Sequence, residues 1–192
     1  MSNATVGFAL CGSFCTFKKV IPQMKKLVDE GYKVIPIMSD TAYNTDTRFG
    51  KSMDFNKEIE EICKTEIVHT ITGAEPIGPK ELLDALVIAP CTGNTLGKLA
   101  NGISDTSVTL ATKAHLRNQR PVIIAVSTND GLGNNAKNIG TLLNMKNVYF
   151  VPFGQDDYIE KENSLLISNP EIAKEWHYEK NGNLKQEYSL FS

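Results

Sequence analysis

Apolar positions along this chain follow two alternating rhythms. Short, nearly continuous apolar runs at Thr5 to Leu10, Lys33 to Met38, Leu86 to Ala89, Pro121 to Val126 and Val148 to Val151 predict buried strands. Between them, apolar residues recur at helical spacing. Val20 to Asp29, Phe55 to Lys64 (through Phe55, Ile59 and Ile62), the segment carrying Leu96, Leu99 and Ala100, Ser107 to Arg117 and Lys137 to Leu143 therefore read as helices. A short strand is expected around Ile67 to His69 and one helical turn at Glu81 to Asp84, while Gly31 marks the end of the first helix. Strands of this kind separated by helices predict an α/β fold: a three-layer α/β/α, Rossmann-like, doubly wound parallel sheet.

In such a sheet ligands gather at the carboxyl ends of the strands, so the loops that leave a strand carry the information. They are Cys11 to Thr16, Ser39 to Tyr43, Cys91 to Asn94 and Ser127 to Gly133, all rich in Gly, Ser, Thr or Asn. The stretch from Leu86 to Asp105 is the most specific. It runs a strand into Pro90-Cys91-Thr92-Gly93-Asn94-Thr95 and then into a helix, which sets hydroxyls, an amide and unpaired backbone N–H groups at a helix start. That combination favours a phosphate, and Thr92, Asn94 and Thr95 add side-chain donors. The loop after the first strand, Cys11-Gly12-Ser13-Phe14, holds one glycine where a dinucleotide fingerprint has three, so Asp40 is a poor ribose ligand and Ser39 the better phosphate or ribityl contact.

Composition narrows the setting. With 192 residues, 41% of them hydrophobic, the chain builds one core, expected over residues 1–176 with a polar extension at 177–192. A formal net charge of -2 argues against nucleic acid or an anionic membrane as partner. No apolar run approaches the roughly 20 residues of a membrane-spanning helix, and no signal peptide is apparent, so a cytoplasmic location is expected. Cys11, Cys15, Cys63 and Cys91 form no Cys-x-x-Cys pair, and His69, His115 and His177 are scattered, so free thiols and no metal site are expected.

The loop Pro90 to Thr95, followed by Lys98, Ala100, Gly102 and Asp105, resembles the P-A-S-A-N-T-x-x-K-x-A-x-G-x-x-D signature of the flavoprotein superfamily that contains phosphopantothenoylcysteine decarboxylase and the lantibiotic cysteine decarboxylases. The resemblance implies an FMN-binding domain in trimer-based assemblies, with Gly12, Ser13, Phe14, Ser39, Pro90, Cys91, Thr92, Asn94, Thr95 and Ser127 on the cofactor. The decarboxylases' catalytic histidine is missing, because fourteen positions before Pro90 stands Pro76. Of their P-A-M-N clamp only Asn129 survives in Val126-Ser127-Thr128-Asn129.

Four segments, Thr47 to Gly50, Gly73 to Lys80, Ala125 to Gly133 and Tyr149 to Asp156, resemble the family of dipicolinate synthase B subunits more narrowly. That resemblance implies oxidation of dihydrodipicolinate to dipicolinate (pyridine-2,6-dicarboxylate) in the mother cell during sporulation, beside the NADP-linked A subunit of dipicolinate synthase. The chemistry needs a hydride acceptor, recognition of two carboxylates and a base. Arg48 and Asn129 are the candidates for substrate binding, and Asn129, Asp130 and Glu75 for catalysis. Two other readings stay open: a non-catalytic scaffold or activator of the dehydrogenase-like A subunit, and an FMN-dependent decarboxylase of another acid.

Overall fold

The computed structural model describes residues 4–167 and two short strands at 176–178 and 184–186. In chain order the elements are β1 (Thr5–Leu10), α1 (Phe17–Asp29), β2 (Lys33–Met38), α2 (Asp40–Asn44), α3 (Ser52–Cys63), α4 (Ile71–Ala74) and β3 (Ala85–Cys91). They continue as α5 (Gly93–Ala100), α6 (Ser107–Arg117), β4 (Val122–Thr128), α7 (Ala136–Leu143), β5 (Val148–Phe150), β6 (Phe153–Asp157) and β7 (Lys161–Ile167), then β8 (Trp176–Tyr178) and β9 (Leu184–Gln186), which pair with each other.

Strands β2, β1, β3 and β4 lie side by side in parallel, as their apolar composition demands. The alternation of side chains then fills two cores. Phe8, Leu10, Val87 and Ala125 point to one face and pack under Phe17, Val20, Met24, Phe55 and Ile59 of α1 and α3. Leu86, Ile88, Ile124 and Val126 point to the other and pack under Leu96, Val108, Ala111 and Leu142 of α5, α6 and α7. The three-layer doubly wound architecture follows directly. Gly31 ends α1 at φ 91°, where only glycine is unstrained, and Gly31 and Tyr32 donate back to Val28 and Leu27.

Three expectations need correction. First, the sheet is not wholly parallel, and Val148 to Val151 is not its last strand. The outer edge of β4 is divided: β5 pairs in parallel with Val122 to Ile124, and β7 pairs antiparallel with Ser127 and Thr128, with β6 outside it. Second, Ile67 to His69 makes only one bridge, Val68 to Ile37. Val68 N–H donates to Pro36 O and its carbonyl accepts from Met38 N–H, but the next rung toward the amino end would need an N–H from Pro36, which has none. Third, Glu81 to Asp84 is not helical. Glu81 sits at φ 48°, the Asp84 carboxylate accepts from Thr5 N–H at 2.7 Å, and Arg120 bonds both Glu81 and Leu83, which together hold the segment open. The helical turns lie upstream, in α4, capped by the Thr70 hydroxyl, and at Glu75–Ile77. The expected extension at 177–192 lies outside the described residues apart from β9 and the end of β8.

Candidate functional site

A cleft of about 980 Å³ opens at the carboxyl ends of β1, β3 and β4. Its floor is made where strands hand over to helices. After β1 the chain turns through Gly12 and Ser13 into a single 3-10 turn, Phe14–Thr16, held by Thr16 Oγ1 donating to Ser13 O at 2.7 Å. The Ser13 hydroxyl lies 2.7 Å from that of Ser127 at the end of β4, which joins the two strand ends. After β3, Thr92 caps α5, accepting from Thr95 N–H at 3.5 Å. The Asn94 side chain is exposed in the cleft with no partner among the described residues.

The second wall comes from the loop after β4 and from the β6–β7 hairpin. Thr128 Oγ1 and Asn135 Nδ2 both donate to Asp130 Oδ1, at 2.6 and 2.7 Å, so one carboxylate oxygen is fixed and the other is left open. Asn129, beside it, is exposed on the cleft without a side-chain partner among the described residues. Asp156 and Lys161 of the hairpin form an ion pair at 2.9 Å, and Ser164 stands between them and Thr128. Lys19 of α1, Thr47 and Phe49 complete the rim.

Of the residues singled out from the sequence, the cleft gathers Gly12, Ser13, Phe14, Thr92, Asn94, Ser127, Asn129 and Asp130. Ser39, Pro90, Cys91 and Thr95 lie behind its surface. Ser39 caps α2, accepting from Ala42 N–H at 3.3 Å. Pro90 is buried in β3 behind a cis Ala89–Pro90 bond. Cys91 and Cys11 are buried together, the Cys91 thiol bonding to Cys11, and Thr95 Oγ1 donates to Cys11 Sγ at 3.2 Å. The hydrogen bond from Cys91 pulls the Cys11 thiol below its ordinary range, whereas burial pushes Cys91 well above it.

Glu75 is exposed in its 3-10 turn and does not line the cleft. Arg48 lies over the Phe49 ring at 4.9 Å, beside the cleft rather than on its wall. Sequence reasoning missed Gly93, Thr128, Asn135 and the hairpin residues Asp156, Lys161 and Ser164. The turn at Tyr158 to Glu160, where Asp157 accepts from the Ile159 and Glu160 amides, was the available hairpin signal.

The flavoprotein family model matches residues 1–171. A relative 47% identical over 166 residues, covering 86% of this chain and 83% of its own length, is the B subunit of dipicolinate synthase from Bacillus subtilis (strain 168). The chain belongs to the flavoprotein family, within its group of dipicolinate synthase B subunits. The crystal structure of the B subunit of dipicolinate synthase from Bacillus halodurans is 45% identical, with a TM-score of 0.82 over 91% of this chain and 89% of that one. The FMN-dependent cysteine decarboxylase TvaF of thioviridamide biosynthesis is 25% identical, with a TM-score of 0.62 over 78% of this chain and 90% of that one. Among the described residues no helix is long and apolar enough to cross a membrane.

Proposed function

We propose that this chain is a dipicolinate synthase B subunit, a single domain over residues 1–176 that binds FMN in the cleft. It takes part in oxidising dihydrodipicolinate to dipicolinate in the cytoplasm of the mother cell of a sporulating bacterium. The observation that carries the reading is the convergence of Ser13, Ser127, Asn94, Asn129 and Asp130 on one cleft in a chain 47% identical to a protein of that name. A homo-oligomer, and the A subunit that supplies NADP, complete the working enzyme.

The residues present fit a flavin mononucleotide. The volume lies within the range of cofactor sites, roughly 300–1,000 Å³. The donor set is hydroxyls, carboxamides, the first-turn amides of α5 and the ammonium of Lys19, and the Phe14 and Phe49 rings offer flat apolar contact. Gly12, Ser13, Thr92, Asn94 and Ser127 would hold the group. When bound it supplies reversible acceptance of a hydride.

The chain's own residues do the rest. Asn129 orients the ring acid, and the open oxygen of Asp130 takes the proton lost on aromatisation, its carboxylate held in place by Thr128 and Asn135. Glu75, exposed off the cleft, is the weaker candidate base. Lys19 on the wall, with Arg48 next to it, supplies cations for the two carboxylates.

One observation favours the scaffold reading instead. The hydroxyls of Ser39, Thr92 and Thr95 are all spent inside the protein, on two helix caps and on Cys11. Reconstitution of the A and B subunits with dihydrodipicolinate, with and without FMN and NADP, decides between them by the aromatic absorbance of the product. Catalysis that needs FMN supports the enzyme reading; full turnover without flavin and with Asp130→Asn in place supports the scaffold.

A further inference from the structure

Two thiols lie side by side beneath the cleft. Alternation along β1 turns Ala9 and Cys11 toward the core under α5, α6 and α7, and along β3 it turns Leu86 and Ile88 the same way. Strict alternation would then send Cys91 to the opposite core. It does not, because β3 takes three steps from Ile88 to Cys91 while β4 takes two from Ile124 to Val126, and this bulge brings Cys91 to the Cys11 side. Cys11 N–H donates to Pro90 O at 3.1 Å, so the strand ends are neighbours at this level, and the Cys91 thiol bonds to Cys11. The two residues are 1% and 0% exposed.

A line of hydroxyls joins the pair to the cleft. Thr92, on the cleft wall, has its Oγ1 3.2 Å from Thr95 Oγ1, which donates to Cys11 Sγ at 3.2 Å. A small neutral molecule that hydrogen-bonds like water finds partners along this line, whereas burial of both sulfurs shuts out a bulky reagent. The sulfurs also differ in character. Cys11 is pulled below the ordinary thiol range, first by the hydrogen bond from Cys91, against burial, and then by that from Thr95; burial pushes Cys91 up. Cys63, on the other face of the sheet, donates to Met24 Sδ at 3.2 Å rather than to a second thiol, and burial pushes it up to about 12.

We propose that Cys11 and Cys91 are a dithiol oxidation site, closed into a disulfide by a small neutral oxidant of the peroxide class, which locks the ends of β1 and β3 together under the cleft. With hydrogen peroxide, the Cys11 sulfur attacks one oxygen and the O–O bond breaks, leaving a sulfenic acid on Cys11 and, with the thiol proton, one water. The Cys91 sulfur then attacks the Cys11 sulfur, the S–O bond breaks, and the departing hydroxide takes the Cys91 proton as a second water. The two thiols lose two electrons and two protons, and one peroxide is reduced to two waters. No flavin takes part, so the site stands or falls independently of the reading of the cleft.

The test exposes the full-length protein, reduced and then freed of reductant, to hydrogen peroxide, alkylates the remaining thiols in denaturant and maps them by mass spectrometry. A Cys15→Ser protein runs in parallel, because Cys15 is exposed on the cleft and reacts on its own. In both, a Cys11–Cys91 cross-link reversed by dithiothreitol is expected, formed on the order of tenfold faster than any loss of Cys63. The cross-linked protein should unfold at higher urea than the reduced one and lose that gain with dithiothreitol. An aromatic disulfide reagent applied to the native protein should modify Cys15 and leave Cys11 and Cys91 free. In Cys91→Ser, Cys11 should stop at the sulfenic acid and be captured by dimedone on unfolding; since the cross-link is read in the native sequence, the test stands if this variant does not fold. Cys11 and Cys91 both recovered alkylated after Cys15 is consumed overturns the proposal, as does a cross-link through Cys15 or Cys63. A lower urea midpoint in the cross-linked protein overturns the lock, and modification of Cys11 by the aromatic reagent overturns the selection by size.

Discussion

The two walls of the cleft are built from different materials. The floor, from Gly12 to Phe14 and from Thr92 to Asn94, stands on strand ends and helix starts whose undersides are fully buried: Leu10, Ala89 and Leu96 have no exposed surface. The opposite wall, Phe153 to Ile167, is an antiparallel hairpin pinned to β4 at Ser127 and Thr128 and held farther out by an exposed ion pair, with Tyr158 and Ile159 at its tip 72% and 66% exposed. Backbone position on the floor is therefore set by packing, and on the hairpin beyond the buried Leu165 and Ile167 by hydrogen bonds and charge. A ligand meets a fixed surface on one side and an adjustable one on the other.

The sharpest way to break that contrast is to empty the packing beneath the floor. Leu96→Ala removes a fully buried side chain under α5 and is expected to lose about 3 kcal/mol of stability. Ile159→Ala at the hairpin tip is expected to stay within about 0.5 kcal/mol, because the residue is already in water. Urea midpoints of the two variants against wild type measure both. Equal losses would mean that the hairpin is part of the core and the contrast is wrong.

Acid separates the two regions next. His115, a buried residue of α6 with Nε2–H donating to Pro121 O at 3.0 Å, is pushed down to about 4, first by loss of solvent and then by the nearby Arg120 charge. The unfolded chain takes up that proton near pH 6.5 and the folded one only near pH 4. Stability is therefore lost as pH falls between these values, by about 2 kcal/mol at pH 5. On the hairpin, Asp157 is held below the usual carboxylate range by the Glu160 and Ile159 amides, so its contribution survives until more acid conditions. Denaturation across pH 7 to 4 should show the first loss, and His115→Gln should flatten it. A stability unchanged to pH 5 would contradict the placement of a neutral imidazole there.

This difference in material also explains what could be read in advance. The helix Ser107–Arg117 and the strands Thr5–Leu10 and Lys33–Met38 were legible to the residue, because each buries a continuous apolar face. The loops leaving β1, β3 and β4 could be named from their Gly, Ser and Asn content. The hairpin was not legible: Phe-Gly-Gln-Asp-Asp and Lys-Glu-Asn-Ser lack apolar alternation, and the buried apolar residues Leu165 and Ile167 come only at the end of β7. Arg48 and Glu75 were plausible by charge alone, and only the fold shows that both stand off the cleft wall. Gly93 carried no chemistry of its own, so its close packing against Asp130 was invisible before the chain was folded.

A smaller effect is expected on the floor itself. Thr92→Ala removes the cap from α5 and leaves the Thr95 amide without its acceptor, at a cost of about 1 kcal/mol. Thermal denaturation measures it, and amide exchange at Thr95 should rise with it. A loss near zero would show that the first turn of α5 is held by the loop on Gly93 rather than by its own cap.

The smallest effect belongs to the hairpin. Lys161→Met keeps the aliphatic stem and removes the ammonium that pairs with Asp156, the two side chains being 57% and 29% exposed. Partners this open to solvent contribute roughly 0–1 kcal/mol, so the midpoint should fall by no more than the loss seen for the Thr92 cap. The residual difference should vanish at 1 M salt, where the Debye length is about 3 Å. Ser164, which also bonds Asp156, keeps the second strand in register meanwhile. If Lys161→Met instead costs more than Thr92→Ala and salt does not close the gap, the hairpin is fixed as firmly as the floor, and the cleft has no adjustable wall.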